Sequence, residues 1–252
     1  ENKALSLMEY DYEYVTQFDC PEEIRESDRV LLHFDGLDTI ADVYLNGEHL
    51  GNAYSMHRIW EYDVKEKVRP AGNELRVVLH SPTKFIRQAF QECRTLGNDD
   101  TLEGFVHIRK AHYMFGWDWG AHLPDAGIFR PVTLLGIDRG RIDNVLILQE
   151  HERVPEADSD AAIAALGNRS VSGVVLKLKV TEETAGITDG VPKLMDVTGG
   201  RLFCGCGQHM SYTVEITAPD GTKSVTENSP SEIRIEHPRL WWPNGYGAQD
   251  LY

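Results

Sequence analysis

The 252-residue chain is long enough for two ordinary domains, each with a core of its own, and its 41% hydrophobic and 26% charged residues exclude a disordered or membrane-embedded class. With 25 basic against 40 acidic residues, a net charge of -15, it would repel a phosphate backbone and has no basic stripe to offset this, which excludes nucleic acid as a partner. No apolar run approaches the roughly 20 residues that cross a bilayer, and no basic-then-apolar leader opens the chain, so no membrane partner is expected.

In chain order, Tyr10 to Val15 reads as a first strand, close behind an abrupt beginning at Glu1. Arg29 to Phe34 (RVLLHF) is rich in β-formers, and Ile40 to Leu45 (IADVYL) alternates before Asn46-Gly47, a pair that tolerates the positive φ of a type I′ hairpin turn. Trp60 to Val64 and Asn73 to Leu79 follow, separated by the loop Pro70-Ala71-Gly72-Asn73. Pro82 to Phe90 has helical periodicity and is suited to cover a sheet edge, and Ile128 to Ile137 reads as one strand. Arg139-Gly140-Arg141 marks a boundary. Beyond it, Ile142 to Gln149, Gly173 to Thr181 and Ser211 to Thr217 read as strands, the last ending at Pro219-Asp220-Gly221, while Glu156 to Leu166 is a loop or helical insertion. Regular short strands without a long helical period predict an all-β chain of two sandwiches, with both ends cut from a longer polypeptide.

The chemistry of the sequence is mostly negative. It contains no phosphate-cradling glycine loop, no His-Glu-x-x-His metal pair and no Gly-x-Ser-x-Gly nucleophile turn. The four cysteines, Cys20, Cys93, Cys204 and Cys206, show no regular framework and fit a reducing, cytoplasmic compartment. Cys204-Gly205-Cys206, with His209 as the nearest further donor, lacks the ligand offsets of a zinc site, so no metal or other cofactor is expected. Asn168-Arg169-Ser170 matches a glycosylation sequon, a pattern short enough to recur by chance.

One run carries a positive signal. Arg109 to Gly120 (RKAHYMFGWDWG) is dense in aromatic residues, bracketed by glycines, and lies outside the regular strands. Aromatic faces stack on the C–H face of a pyranose and a carboxylate accepts two hydroxyl hydrogen bonds, so Trp117-Asp118-Trp119 suits sugar capture. In an extended segment Trp117 and Trp119 face one way and Asp118 the other, and an alternative in which both tryptophans build core stands beside the first.

The wider run RKAHYMFGWDWGAHLPDAGIFRPVTLLGI, Arg109 to Ile137, resembles the signature of the β-mannosidase branch of glycoside hydrolase family 2. HFDGLDTIADVYLNGEHLG, His33 to Gly51, resembles that family's jelly-roll sugar-binding domain, and HPRLWWPNGYGAQDLY, His237 to Tyr252, the linking segment of its immunoglobulin-like domain. The likeness is weakest between Glu150 and Asn228, and Thr198 to Met210 has no counterpart in it. It implies a galactose-binding-like jelly roll over 1–139 followed by an immunoglobulin-like sandwich, incomplete at its C-terminal end, over 140–252. It further implies a retaining exo-hydrolase of terminal β-linked mannose whose two catalytic glutamates lie in a barrel outside this chain. The partners so implied are a β-mannoside oligosaccharide or glycan and that catalytic barrel.

Carried onto this sequence, the resemblance makes Asp118 a hydrogen-bonding partner of sugar hydroxyls in the first subsite. It puts Trp117 beside it, on the ring or the pocket wall, and Arg109 in position to orient Asp118, while Trp119 and Trp60 are read as core. Trp241 to Gly247 is read as a structural turn rather than a stacking platform. Two alternatives stand: a stand-alone carbohydrate-binding module, and a fragment of a sibling β-galactosidase or β-glucuronidase.

Overall fold

The computed structural model describes residues 2–117, 120–153, 171–184 and 211–252. The chain divides into two units, Glu1–Arg139 and Gly140–Tyr252. Glu156 to Leu166, the sequon at Asn168, Cys204 and Cys206 lie outside the described residues.

The first unit opens with helix α1 (Asn2–Leu7), strand β1 (Tyr12–Phe18) and the single turn α2 (Glu22–Arg25). Strands β2 (Arg29–Phe34), β3 (Leu37–Asp38), β4 (Ile40–Leu45), β5 (Glu48–Tyr54), β6 (Trp60–Asp63) and β7 (Asn73–Leu79) lead to helix α3 (Pro82–Glu92). After two 3₁₀ turns, Phe105–His107 and His112–Met114, come β8 (Phe115–Trp117), β9 (Gly120–His122), β10 (Gly127–Ile128) and β11 (Val132–Ile137). One antiparallel sheet has the order β1-β7-β4-β5 and another β11-β2-β6, while β3 pairs with β10 and β8 with β9.

Period-two alternation drives the packing. Ala41, Val43 and Leu45 of β4 and Val77 and Leu79 of β7 turn inward from one sheet, Val30, Leu32 and Phe34 of β2 from the other, and all share a single core. Trp60 closes that core at 7% exposure, its indole N–H donating to the Ser55 carbonyl at 3.0 Å. The β4–β5 hairpin turns at Asn46 (φ 53°) and Gly47 (φ 86°), the positive pair that the dipeptide predicts. Asn46 is held there by its own amide, which donates to the Lys67 carbonyl at 2.9 Å and accepts from the Glu74 N–H at 3.0 Å.

Two expectations change. The stretch from Ile128 to Ile137 is not one strand but two, because Pro131 has no N–H for a ladder; its carbonyl instead accepts from the Asp35 N–H at 3.1 Å. The first strand begins at Tyr12 rather than Tyr10 and follows a short helix. Helix α3 forms where its periodicity predicts, started by Ser81, whose hydroxyl accepts from the Lys84 N–H, and by Pro82 in the first turn. Its buried Ile86 packs with Ile108 and Phe115 in a second, smaller core.

In the second unit, β12 (Gly140–Arg153), β13 (Val171–Thr184) and β16 (Glu232–Glu236) form one antiparallel sheet, and β14 (Val214–Thr217) pairs with β15 (Lys223–Thr226). The β14–β15 connection is the turn expected at Pro219-Asp220-Gly221. The Trp241 to Gly247 loop is closed by its own backbone: the Trp242 N–H donates to the Ala248 carbonyl at 2.8 Å and the Tyr246 N–H to the Pro243 carbonyl at 3.0 Å. Those bonds satisfy backbone groups of the loop, while Trp241 and Tyr246 are exposed.

Candidate functional site

The aromatic run folds into a short hairpin standing on the second core. Phe115 pairs with His122 and Trp117 with Gly120. Phe115 is fully buried against Ile86 and Ile108, and its carbonyl accepts from the Leu102 N–H at 3.0 Å, which roots the hairpin. Trp117, at its far end, is 39% exposed. Asp118 and Trp119, the two residues between Trp117 and Gly120, lie outside the described residues.

Gly116 explains why this hairpin needs a glycine. Its φ is 97°, and a Cβ there would come 2.5 Å from the His122 ring and 3.0 Å from the Asp100 carbonyl. The His122 ring fills that space, its Nε2 3.0 Å from the same Asp100 carbonyl oxygen. Since a carbonyl only accepts, Nε2 carries the proton. At the base, the Leu123 N–H donates to the Met114 carbonyl at 2.8 Å.

The approach to the hairpin is extended, and alternation sorts its side chains. Ile108 and Lys110 point inward, at 2% and 1% exposure, and Arg109 points out. The Arg109 backbone is what binds: it bridges Ser55, and its carbonyl accepts from the Met56 N–H at 3.0 Å. Arg109 lines an open depression of about 350 Å³ together with His57, Val106, Ala111 and His112.

Lys110 escaped the sequence reading. Its ammonium is wholly buried, bonded to the Asp38 carboxylate, and it donates to the Asp125 carbonyl at 2.6 Å. Burial pushes this amine below its usual range, against the pull of Asp38. The signal was present in the alternation, which places Lys110 on the face of Ile108; its partner Asp38 lies far off in sequence and is brought near by the β3–β10 pairing of Asp38 with Gly127.

Of the residues singled out from sequence, Trp117 is therefore on the hairpin, Arg109 on the extended segment that leads to it, and Trp60 in the main core. The arrangement is a short hairpin rooted in the second core, with the Trp117 indole partly exposed at the end of its first strand. A partly exposed indole offers a flat apolar face for stacking and an N–H for hydrogen bonding.

Comparison with known proteins gives the chain a family. The profile of the glycosyl hydrolase 2 galactose-binding domain-like family matches residues 1–130. Beta-mannosidase of Mus musculus is 24% identical over 95% of the chain, and beta-mannosidase B of Thermothelomyces thermophilus 28% identical over 97%. The chain spans 25% of the length of each. Among solved structures, the beta-D-mannosidase of Dictyoglomus thermophilum superposes with a TM-score of 0.65 at 23% identity, over 96% of this chain and 26% of that one. A beta-glucuronidase from an uncultured Clostridium species does so with a TM-score of 0.53 at 15% identity, over 92% and 30%, so the fold is common to both. With more than half of its residues matched by the family profile, this chain belongs to the glycosyl hydrolase 2 galactose-binding domain-like family.

Proposed function

We propose that this chain is the non-catalytic N-terminal region of a retaining exo-β-mannosidase, contributing to the subsite that holds terminal β-D-mannose. On this reading the acid/base and nucleophile carboxylates are supplied by a catalytic barrel of the same polypeptide, across the scissile bond from one another. The observation that carries it is the hairpin: a partly exposed Trp117 is held at the end of two short paired strands whose root, Phe115, is fully buried. The likeness to the two β-mannosidases over nearly the whole chain supports the same reading.

In this site Asp118 accepts hydrogen bonds from sugar hydroxyls, and Trp117 packs on the ring or the wall beside it. Arg109, exposed beside the hairpin's approach, is the cation available to orient Asp118. The polypeptide works in the cytoplasm, where the buried Cys20 and the exposed Cys93, both free thiols, remain reduced.

The test is hydrolysis by the complete polypeptide of aryl β-D-mannoside, β-D-galactoside and β-D-glucuronide side by side. Preference for the mannoside supports the reading. Preference for either of the others moves the chain to a sibling enzyme, and mannoside binding without turnover makes it a carbohydrate-binding module.

A further inference from the structure

We propose that Lys110 is a positioning residue: with Asp38 it forms a buried clasp at the base of the β8–β9 hairpin that fixes where Trp117 stands against the substrate. The inference rests on the reading of this hairpin as a sugar contact.

The chain path makes the case. Lys110 belongs to the arm that enters the hairpin, and Asp125, whose carbonyl its ammonium binds at 2.6 Å, to the arm that leaves it. The same ammonium binds the carboxylate of Asp38 on β3, so one cation ties both arms to a third strand. Around it, the Arg109 carbonyl accepts from the Met56 N–H, and the Leu123 N–H donates to the Met114 carbonyl. The clasp joins the two arms at the base of the hairpin.

Stability alone is a poor account of this pair. The Lys110 and Asp38 side chains are 0% and 7% exposed, and two charges so desolvated commonly do no better for a fold than an apolar pair of the same volume. An ammonium adds direction: its N–H donors reach two fixed acceptors on different segments, where a methionine would fill the space without orienting either. The hairpin of a clasp-free variant keeps its Phe115 root and its Met114–Leu123 bond but can tilt at its base. Displacements on the order of 1 Å at a substrate contact can cost about 10²-fold in rate.

A double-mutant cycle in the complete enzyme tests this. Lys110→Met with Asp38→Asn removes the cation together with the charge it would orphan; Trp117→Ala removes the tip; the third variant combines them. Aryl β-D-mannoside hydrolysis and melting temperature are measured for each. The expected result is a melting temperature near that of the parent for Lys110→Met/Asp38→Asn, a kcat/KM lowered by roughly 10-fold to 10²-fold, and little further loss when the clasp change is added to Trp117→Ala. Parent-like kinetics in Lys110→Met/Asp38→Asn overturns the clasp alone, as does additive loss across the cycle. Failure of that variant to fold makes the pair a folding element and overturns the proposal equally. Parent-like kinetics in Trp117→Ala overturns the hairpin reading, and the clasp with it.

Discussion

His33 Nδ1 lies 2.7 Å from Glu61 Oε1, directly across the β2–β6 pair, and the other ring nitrogen is 3.0 Å from Asp35 Oδ1. Two carboxylate acceptors on one imidazole favour the form with two N–H donors. Burial acts to lower the pKa of His33, but the hydrogen bonds to Glu61 and Asp35 and their charges outweigh it and raise it above 6.5. His80 is raised likewise, with burial opposed by its bonds to Asp42 and Asp11.

A raised histidine stabilises the fold fully below its unfolded pKa, and the contribution fades as pH climbs through the higher folded value. The expected outcome is a denaturation midpoint that falls as pH rises from about 6 to about 8, a window set by the unperturbed histidine and the upward shift. His33→Gln should shallow that slope and His80→Gln, through the other pair, should shallow it further. Identical slopes for parent and His33→Gln would rule the pair out as its source.

Asn73 anchors the loop between β6 and β7. Fully buried, it accepts from the Arg69 N–H at 2.7 Å and from the Asn46 amide at 3.1 Å, and donates to the carbonyls of Arg69 at 2.7 Å and Phe18 at 3.3 Å. Asn73→Ala leaves several of these groups buried without a partner and should cost about 2–4 kcal/mol. Urea denaturation checks this: a loss under about 1 kcal/mol at unchanged slope would show that water replaces the amide.

What was legible in the sequence was legible for local reasons. Asn46-Gly47 announces its turn because few other pairs adopt two positive φ angles in succession, and IADVYL announces its strand because Ala41, Val43 and Leu45 share one face. Pro131 is equally visible, and it divides a run that is otherwise rich in β-formers. Lys110 is the instructive case. Beside it, Arg109 draws the eye as a cation for a sugar site, yet the cation the fold buries at the hairpin's base is Lys110, and its counterion Asp38 becomes a neighbour only once β3 and β10 pair. Local pattern cannot carry a contact made by topology.

Gly116 and Gly47 both have positive φ, 97° and 86°, but differ in surroundings: a Cβ on Gly47 meets nothing within 4 Å, whereas one on Gly116 strikes the His122 ring. Gly47→Ala should therefore cost only the backbone strain, about 1 kcal/mol. Gly116→Ala should cost roughly 2–4 kcal/mol, strain plus displacement of an imidazole that is itself hydrogen-bonded to Asp100. In the complete enzyme it should also lower kcat/KM if the displaced ring shifts the strand opposite Trp117. Equal stability losses for the two variants would mean that His122 swings away freely.

Under the proposed function Asp118 meets the sugar's hydroxyls, and two accounts of that contact give different kinetics. A carboxylate that meets the sugar's hydroxyls equally in ground and transition states tightens binding without hastening the chemistry, so Asp118→Ala would raise KM at constant kcat. Oxocarbenium-like transition states flatten and charge the ring, and hydroxyl contacts that strengthen with that change lower the barrier itself. On the second account Asp118→Ala lowers kcat and kcat/KM together, by about 10²-fold. Asp118→Asn, which keeps the shape and one acceptor but loses the charge, should fall between it and the parent. Rate constants for the complete enzyme on an aryl β-D-mannoside separate the two accounts, and parent-like values of both constants in Asp118→Ala would remove Asp118 from the site.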